Sequence, residues 1–197
     1  MRKKIIGLLV CTLLLTIIIP NLSLAGDPED PEITDDLGDT NLPHLDIECA
    51  WFYENPDEPE YLFTAIKVKS INLKTNAVLS IRWNYNGKDY VSGFDTYTFQ
   101  KDVFRSGDPK RGTHWQWINM PECEGTIDRN TNVITWKILK SNIGHPKKDD
   151  VLTNTRAAAV PSGLISLIYF LTGRDYRDFA PNNQGTYGLN YQIHYSG

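Results

Sequence analysis

The chain has 197 residues, with 20 basic side chains against 24 acidic ones and a formal net charge of −4. That acidic balance excludes nucleic acid and anionic membrane surfaces as main partners. The length suits one domain with a proper core plus short flanking segments.

Residues 1–25 read as a signal peptide. Arg2, Lys3 and Lys4 form a basic start, Ile5 to Ile19 is an apolar core, and Pro20 and Asn21 break it. Ser23-Leu24-Ala25 then offers small residues before Gly26. The apolar run is short for a spanning helix of about 20 residues, with an uncleaved anchor as the alternative. Cleavage leaves 17 basic residues against 24 acidic ones, a net charge of −7. The expected location is secreted, extracellular or at the cell surface. Cys49 and Cys123 survive cleavage, and two thiols in an oxidising environment are most simply a disulfide. Cys49 shares its expected strand face with Ile47 and Trp51, pointing into the core; the alternative is two unpaired buried thiols.

Residues 26–44 are rich in Asp, Glu and Pro, without apolar periodicity, and read as a linker and domain start. From 45 to 197 the chain has the texture of a β-sandwich domain. Strands are predicted over 45–54, 60–71 and 77–85, each alternating apolar and polar positions. Asn86-Gly87 signals a hairpin, followed by strands at 88–92 and near 95–100. Residues 101–121 read as a long basic loop with a short strand. Thr126 to Leu139 gives a strand, a polar turn at 128–132 and a second strand with Ile134, Trp136 and Ile138 on its buried face. One helical turn and an exposed Gly/Pro/Lys loop at 144–154 follow. A last strand is predicted from the alternation of Tyr187, Leu189, Tyr191, Ile193 and Tyr195.

One segment breaks this pattern. Residues 163–173 are apolar nearly all round, with Ser162 as an N-cap and Gly173 as a stop, predicting one short helix near 162–172. It either covers an open end of the sandwich or presents an apolar docking patch. The fold class expected is all-β: an antiparallel, immunoglobulin-like or jelly-roll-like sandwich with this helix inserted.

Three segments carry a family resemblance: Asp35-Asp36-Leu37-Gly38-Asp39-Thr40 with Leu45-Asp46-Ile47, then Ile134-Thr135-Trp136 through Gly144-His145-Pro146 to Leu152-Thr153-Asn154, then Asp178-Phe179-Ala180-Pro181-Asn182 leading into the last strand. In this order they resemble secreted archaeal and bacterial β-sandwich domains, found alone or beside subtilisin-like proteases. Those domains are similar in fold to carbohydrate-binding modules of the family 9 and DOMON kind. The chain departs from them in its cysteines, in Trp115 and Trp117, and in the 163–173 segment.

The resemblance implies a structural calcium site near the domain start. Calcium takes six to eight oxygens, and Asp35, Asp39 and Asp46 around Gly38, with Asp178 from the far end, would supply carboxylates. The alternative is a solvated acidic linker. Trp115 and Trp117, with Tyr85, Tyr90 and Tyr97, are candidates for a sugar-stacking platform, since an aromatic ring offers a flat apolar face with a polar edge. Packing is the alternative, and Trp51, Trp83 and Trp136 read as core. No Gly-x-Ser-x-Gly elbow, His-Glu-x-x-His or glycine-rich phosphate loop is present, and the four histidines are scattered, so no catalytic residue is assigned. The expectation is a secreted non-catalytic module binding carbohydrate or a cell-surface component. The alternative is a structural or interaction protein of the cell envelope, docking through 163–173.

Overall fold

The structure is a computed structural model that describes residues 27–96, 103–109, 120–162, 168, 171, 176–182 and 185–197. The signal segment, Tyr97, Trp115 and Trp117 lie outside the described residues. Among the described residues, eleven strands form two antiparallel sheets packed face to face, the all-β sandwich expected. The strands are β1 (Ile33–Thr34), β2 (Ile47–Tyr53), β3 (Tyr61–Val68), β4 (Ala77–Tyr85), β5 (Lys88–Asp95), β6 (Val103–Gly107), β7 (Glu124–Asp128), β8 (Val133–Leu139), β9 (Val151–Pro161), β10 (Asp178–Ala180) and β11 (Tyr191–Gln192). The first sheet runs β1-β2-β3-β8-β7 and the second β10-β9-β4-β5-β6, with β11 on β9.

Period-two patterning explains the packing. On β3, β4 and β8 the residues expected to face inward do so: Leu62 and Ile66, Leu79, Ile81 and Trp83, and Ile134, Trp136 and Ile138 are all buried in one core. Aromatic rings stitch the two layers together. Phe52 of the first sheet meets Trp83 of the second edge-on at 5.6 Å, and Phe104 meets Trp136 at 6.0 Å. Such pairs add about 0.5–1.5 kcal/mol each beyond burial. One side of the sandwich is closed by residues 121–128, which switch sheets. Ser106 N–H donates to the Pro121 carbonyl and Cys123 N–H to that of Phe104, after which β7 pairs with β8.

The opposite region is closed by the C-terminus, where Tyr191 and Ile193 enter the core. A buried ion pair holds this strap. Lys140 Nζ, in a 3-10 turn over Lys140–Ile143, donates to Glu54 Oε1 at 2.5 Å and to the Pro59 and Tyr195 carbonyls. Glu54 Oε2 accepts from His194 N–H and from the Tyr191 hydroxyl. Both charges are thus fully partnered, as a buried pair requires.

Several expectations are corrected. The register slips between Ile47 and Cys49, where two β2 residues oppose one of β3. This bulge flips the pleat: Ile47, Ala50 and Phe52 point into the core, whereas Cys49 and Trp51 pack outside it with Ala65. Both cysteines are free. Cys49 lies on the outer side of β2, and Cys123 precedes β7, three strand positions away or about 14 Å at 4.8 Å per step. A disulfide needs Cα atoms within about 7 Å. The predicted break between strands at 88–92 and 95–100 is absent, because β5 runs unbroken to Asp95. The expected loop over 144–154 ends early, at the start of β9, the longest strand. Of the last predicted strand only Tyr191–Gln192 pairs, and Tyr187 and Leu189 are exposed. Within residues 26–44, read as linker and domain start, β1 pairs with β2 and buries Ile33. In the predicted helix, Ile168 and Leu171 are described, and both are helical and exposed.

Candidate metal centre

The loop after β1 folds back on itself. Gly38 adopts φ +93°, a left-handed conformation that glycine enters without penalty. Its N–H donates to Asp46 Oδ1 at 2.9 Å, so the loop is pinned to the start of β2. Asp36 and Asn182 then clasp each other. Asp36 N–H donates to Asn182 Oδ1 at 3.1 Å, and Asn182 Nδ2 returns a bond to Asp36 Oδ2 at 2.8 Å. These contacts bring the loop against β10, which carries Asp178 on the side of its strand facing β2, where Asp178 Oδ2 accepts the Ile47 N–H at 2.6 Å.

Asp35, Asp39 and Asp178 consequently converge, with one ligand oxygen from each lying within 4.8 Å of the others. Asp178 is buried and Asp35 half-buried, while Asp39 is exposed. Both Asp35 oxygens are sealed from water and neither makes a well-formed hydrogen bond, the Asp36 N–H giving only a weak opposing contact and the Asp178 carboxyl lying beside them. Burial pushes the Asp35 carboxyl up to about 8, and the charges of Asp178 and Asp39 push the same way. Asp178 is also raised, first by burial, with the Ile47 N–H opposing. Three carboxylates without a cationic side chain among them, two of them desolvated, form a set that a hard divalent cation would neutralise.

Three of the four residues expected at such a site therefore meet, and Asp46 does not join them. Its carboxylate is fully buried and already committed: Oδ1 takes the Gly38 N–H, and Oδ2 takes the Lys69 ammonium at 3.0 Å. Asp46 shapes the loop that carries Asp35 and Asp39. The Asp36–Asn182 clasp escaped sequence reasoning, since nothing local marks a pair of residues 146 positions apart.

The aromatic platform is only partly visible. Tyr90 is 5% exposed with its ring against Trp83, so it offers no face to a sugar. Tyr85 is also in the core, its hydroxyl donating to Asp150 Oδ2 at 2.6 Å. Trp83 and Trp136 are core residues as expected. Comparison of the chain with family models, with curated proteins and with solved structures found no match.

Proposed function

We propose that the chain is an exported, non-catalytic binding module for carbohydrate or a cell-surface component, its sandwich stabilised by one calcium ion. The observation that carries this reading is Asp35, whose two oxygens are buried without a well-formed hydrogen bond beside two further carboxylates. A buried carboxylate without a partner is costly, and a bound cation removes that cost. Asp35, Asp39 and Asp178 would hold the ion, which would tie the loop after β1 to β10. The ordered resemblance to secreted sandwich domains supports the binding role, and the basic, apolar first 25 residues support export.

The test is retention of residues 26–197 on a polysaccharide panel, in calcium and again after chelation. Retention that weakens on chelation is the expected result. No retention on any polysaccharide or on cell-wall fractions refutes the binding role.

A second reading has its own support. Ile168 and Leu171 are 44% and 72% exposed, as an apolar docking helix requires. In that reading the chain is an envelope interaction protein, and Leu171→Glu abolishes its retention in the envelope fraction without changing polysaccharide binding. Unchanged envelope retention refutes it.

A further inference from the structure

Basic side chains are distributed unevenly over the two sheets. On the outer face of the first, Lys67 and Lys137 are paired with Glu48 and Glu58. Among the described residues, the outer face of the second carries four arginines. Arg82 lies between the inward-facing Ile81 and Trp83, and Arg156 precedes the inward-facing Ala157. Arg105 follows Phe104, which packs on the core, and Arg177 precedes the buried Asp178. Alternation therefore turns all four outward. Arg82 and Arg156 stand directly opposite each other across β4 and β9. Like charges in that position destabilise a sheet, and Asp89 offsets part of the charge at Arg82.

Much of this face is closed. Ser80 and Val91 are buried at its centre, and Arg105 is held by the Met120 carbonyl and Glu122. Arg82 and Arg177 have partners of their own. Along β9 and β10 the described outward side chains are half-buried or exposed. There the Arg156 guanidinium lies 5.7 Å from the centre of the Tyr187 ring, and Tyr187 is 50% exposed. Arg177, exposed, lies 5.5 Å from the ring of Phe179. Phe179 is opposite Ala158, two residues and roughly 7 Å along the strand from Arg156. Arg156 forms no ion pair with a described residue.

We propose that this margin, Arg156 with Tyr187 and Arg177 with Phe179, binds an acidic polysaccharide. The proposal rests on the binding-module reading and names its ligand class. Sugar rings lie against the aromatic faces, and sugar carboxylates take the planar donor fork of Arg156. Burial first and Arg156 second hold Arg82 below the usual arginine range, with Asp89 opposing, and a sugar carboxylate on Arg156 adds to that screening. A neutral glycan supplies the rings but no charge for Arg156.

The test uses residues 26–197 in calcium with three probes: polygalacturonate, its fully methyl-esterified neutral form, and polyphosphate. Polygalacturonate is expected to bind at least tenfold more tightly than either of the others. Arg156→Gln should weaken it at least tenfold at unchanged Tm, while Arg129→Gln, in the exposed turn after β7, changes it less than twofold. Tyr187→Ala, at an exposed position, should weaken it as well and serves if Arg156→Gln lowers Tm. Equal binding of the esterified form overturns the proposal, as does an Arg156→Gln variant that behaves like Arg129→Gln. Polyphosphate competing as well as polygalacturonate overturns the carbohydrate assignment. Binding confined to neutral polysaccharide sinks this proposal and leaves the module reading standing, whereas no retention on any glycan or on cell-wall fractions removes both.

Discussion

Lys140→Met is the sharpest probe of how the sandwich is closed. The Lys140 and Glu54 side chains are 4% and 0% exposed, so their pair belongs to the buried regime and not to the weak surface one. Methionine keeps the length of the stem and removes the ammonium. Glu54 then remains charged in the core with only the His194 and Tyr195 N–H groups and the Tyr191 hydroxyl, and the Pro59 and Tyr195 carbonyls lose a donor. Breaking one partner of such a pair costs about 3–5 kcal/mol. For a chain of this size that lowers Tm by roughly 2–4 °C per kcal/mol, or about 6–20 °C in all. Adding Glu54→Gln removes the orphaned charge, and the double variant should recover at least half of the loss. Thermal unfolding followed by circular dichroism reads all three variants. A Lys140→Met loss below about 1 kcal/mol, or a double variant as unstable as the sum of the two singles, refutes the reasoning.

Three further outcomes follow from the same coordinates. A Cβ on Gly125 would lie 2.1 Å from the Phe104 ring, so Gly125→Ala forces that ring off Trp136 and costs about 1–3 kcal/mol by urea unfolding; an unchanged midpoint contradicts the packing. Burial pushes the Cys49 and Cys123 thiols up to about 11 and about 12, so both should resist a thiol reagent in the native protein and react on unfolding. An intact mass two hydrogens lighter, restored by reductant, would show a disulfide instead. Burial also raises Glu32 to about 7 from 4.5, against the Phe52 N–H. Because the folded state holds that proton more tightly, this contribution is present below about 4.5 and lost as pH rises through 7. In saturating calcium, Glu32→Gln should flatten the fall in Tm between those limits, and an unchanged slope argues against it.

Legibility in the sequence followed the regularity of the pleat. β3, β4 and β8 alternate without interruption, and their inward residues could be named from spacing alone. On β2 the Ile47/Cys49 bulge reverses the parity, which moved Cys49 and Trp51 out of the core and removed the expected disulfide. β9 was missed for two physical reasons. Ala157, Ala158 and Ala159 have low strand propensity, and Asn154 sits at φ 54°, where the strand is irregular beside β4. At the Asp35–Asp39–Asp178 cluster the carboxylates were legible, but the commitment of Asp46 to Gly38 and Lys69 was not. The Glu54–Lys140 lock lay beyond sequence reasoning, since the two residues are 86 positions apart and nothing in either neighbourhood marks the partner.

The central claim turns on Asp35, and a calcium titration of residues 26–197 by calorimetry tests it most directly. Saturable one-site binding and a calcium-dependent rise in Tm are expected, both lost in Asp35→Asn and Asp178→Asn. Asp46→Asn should still bind, with lowered stability because the Lys69 pairing is gone. No binding heat and no shift in Tm at millimolar calcium, or binding that survives Asp35→Asn unchanged, would contradict it.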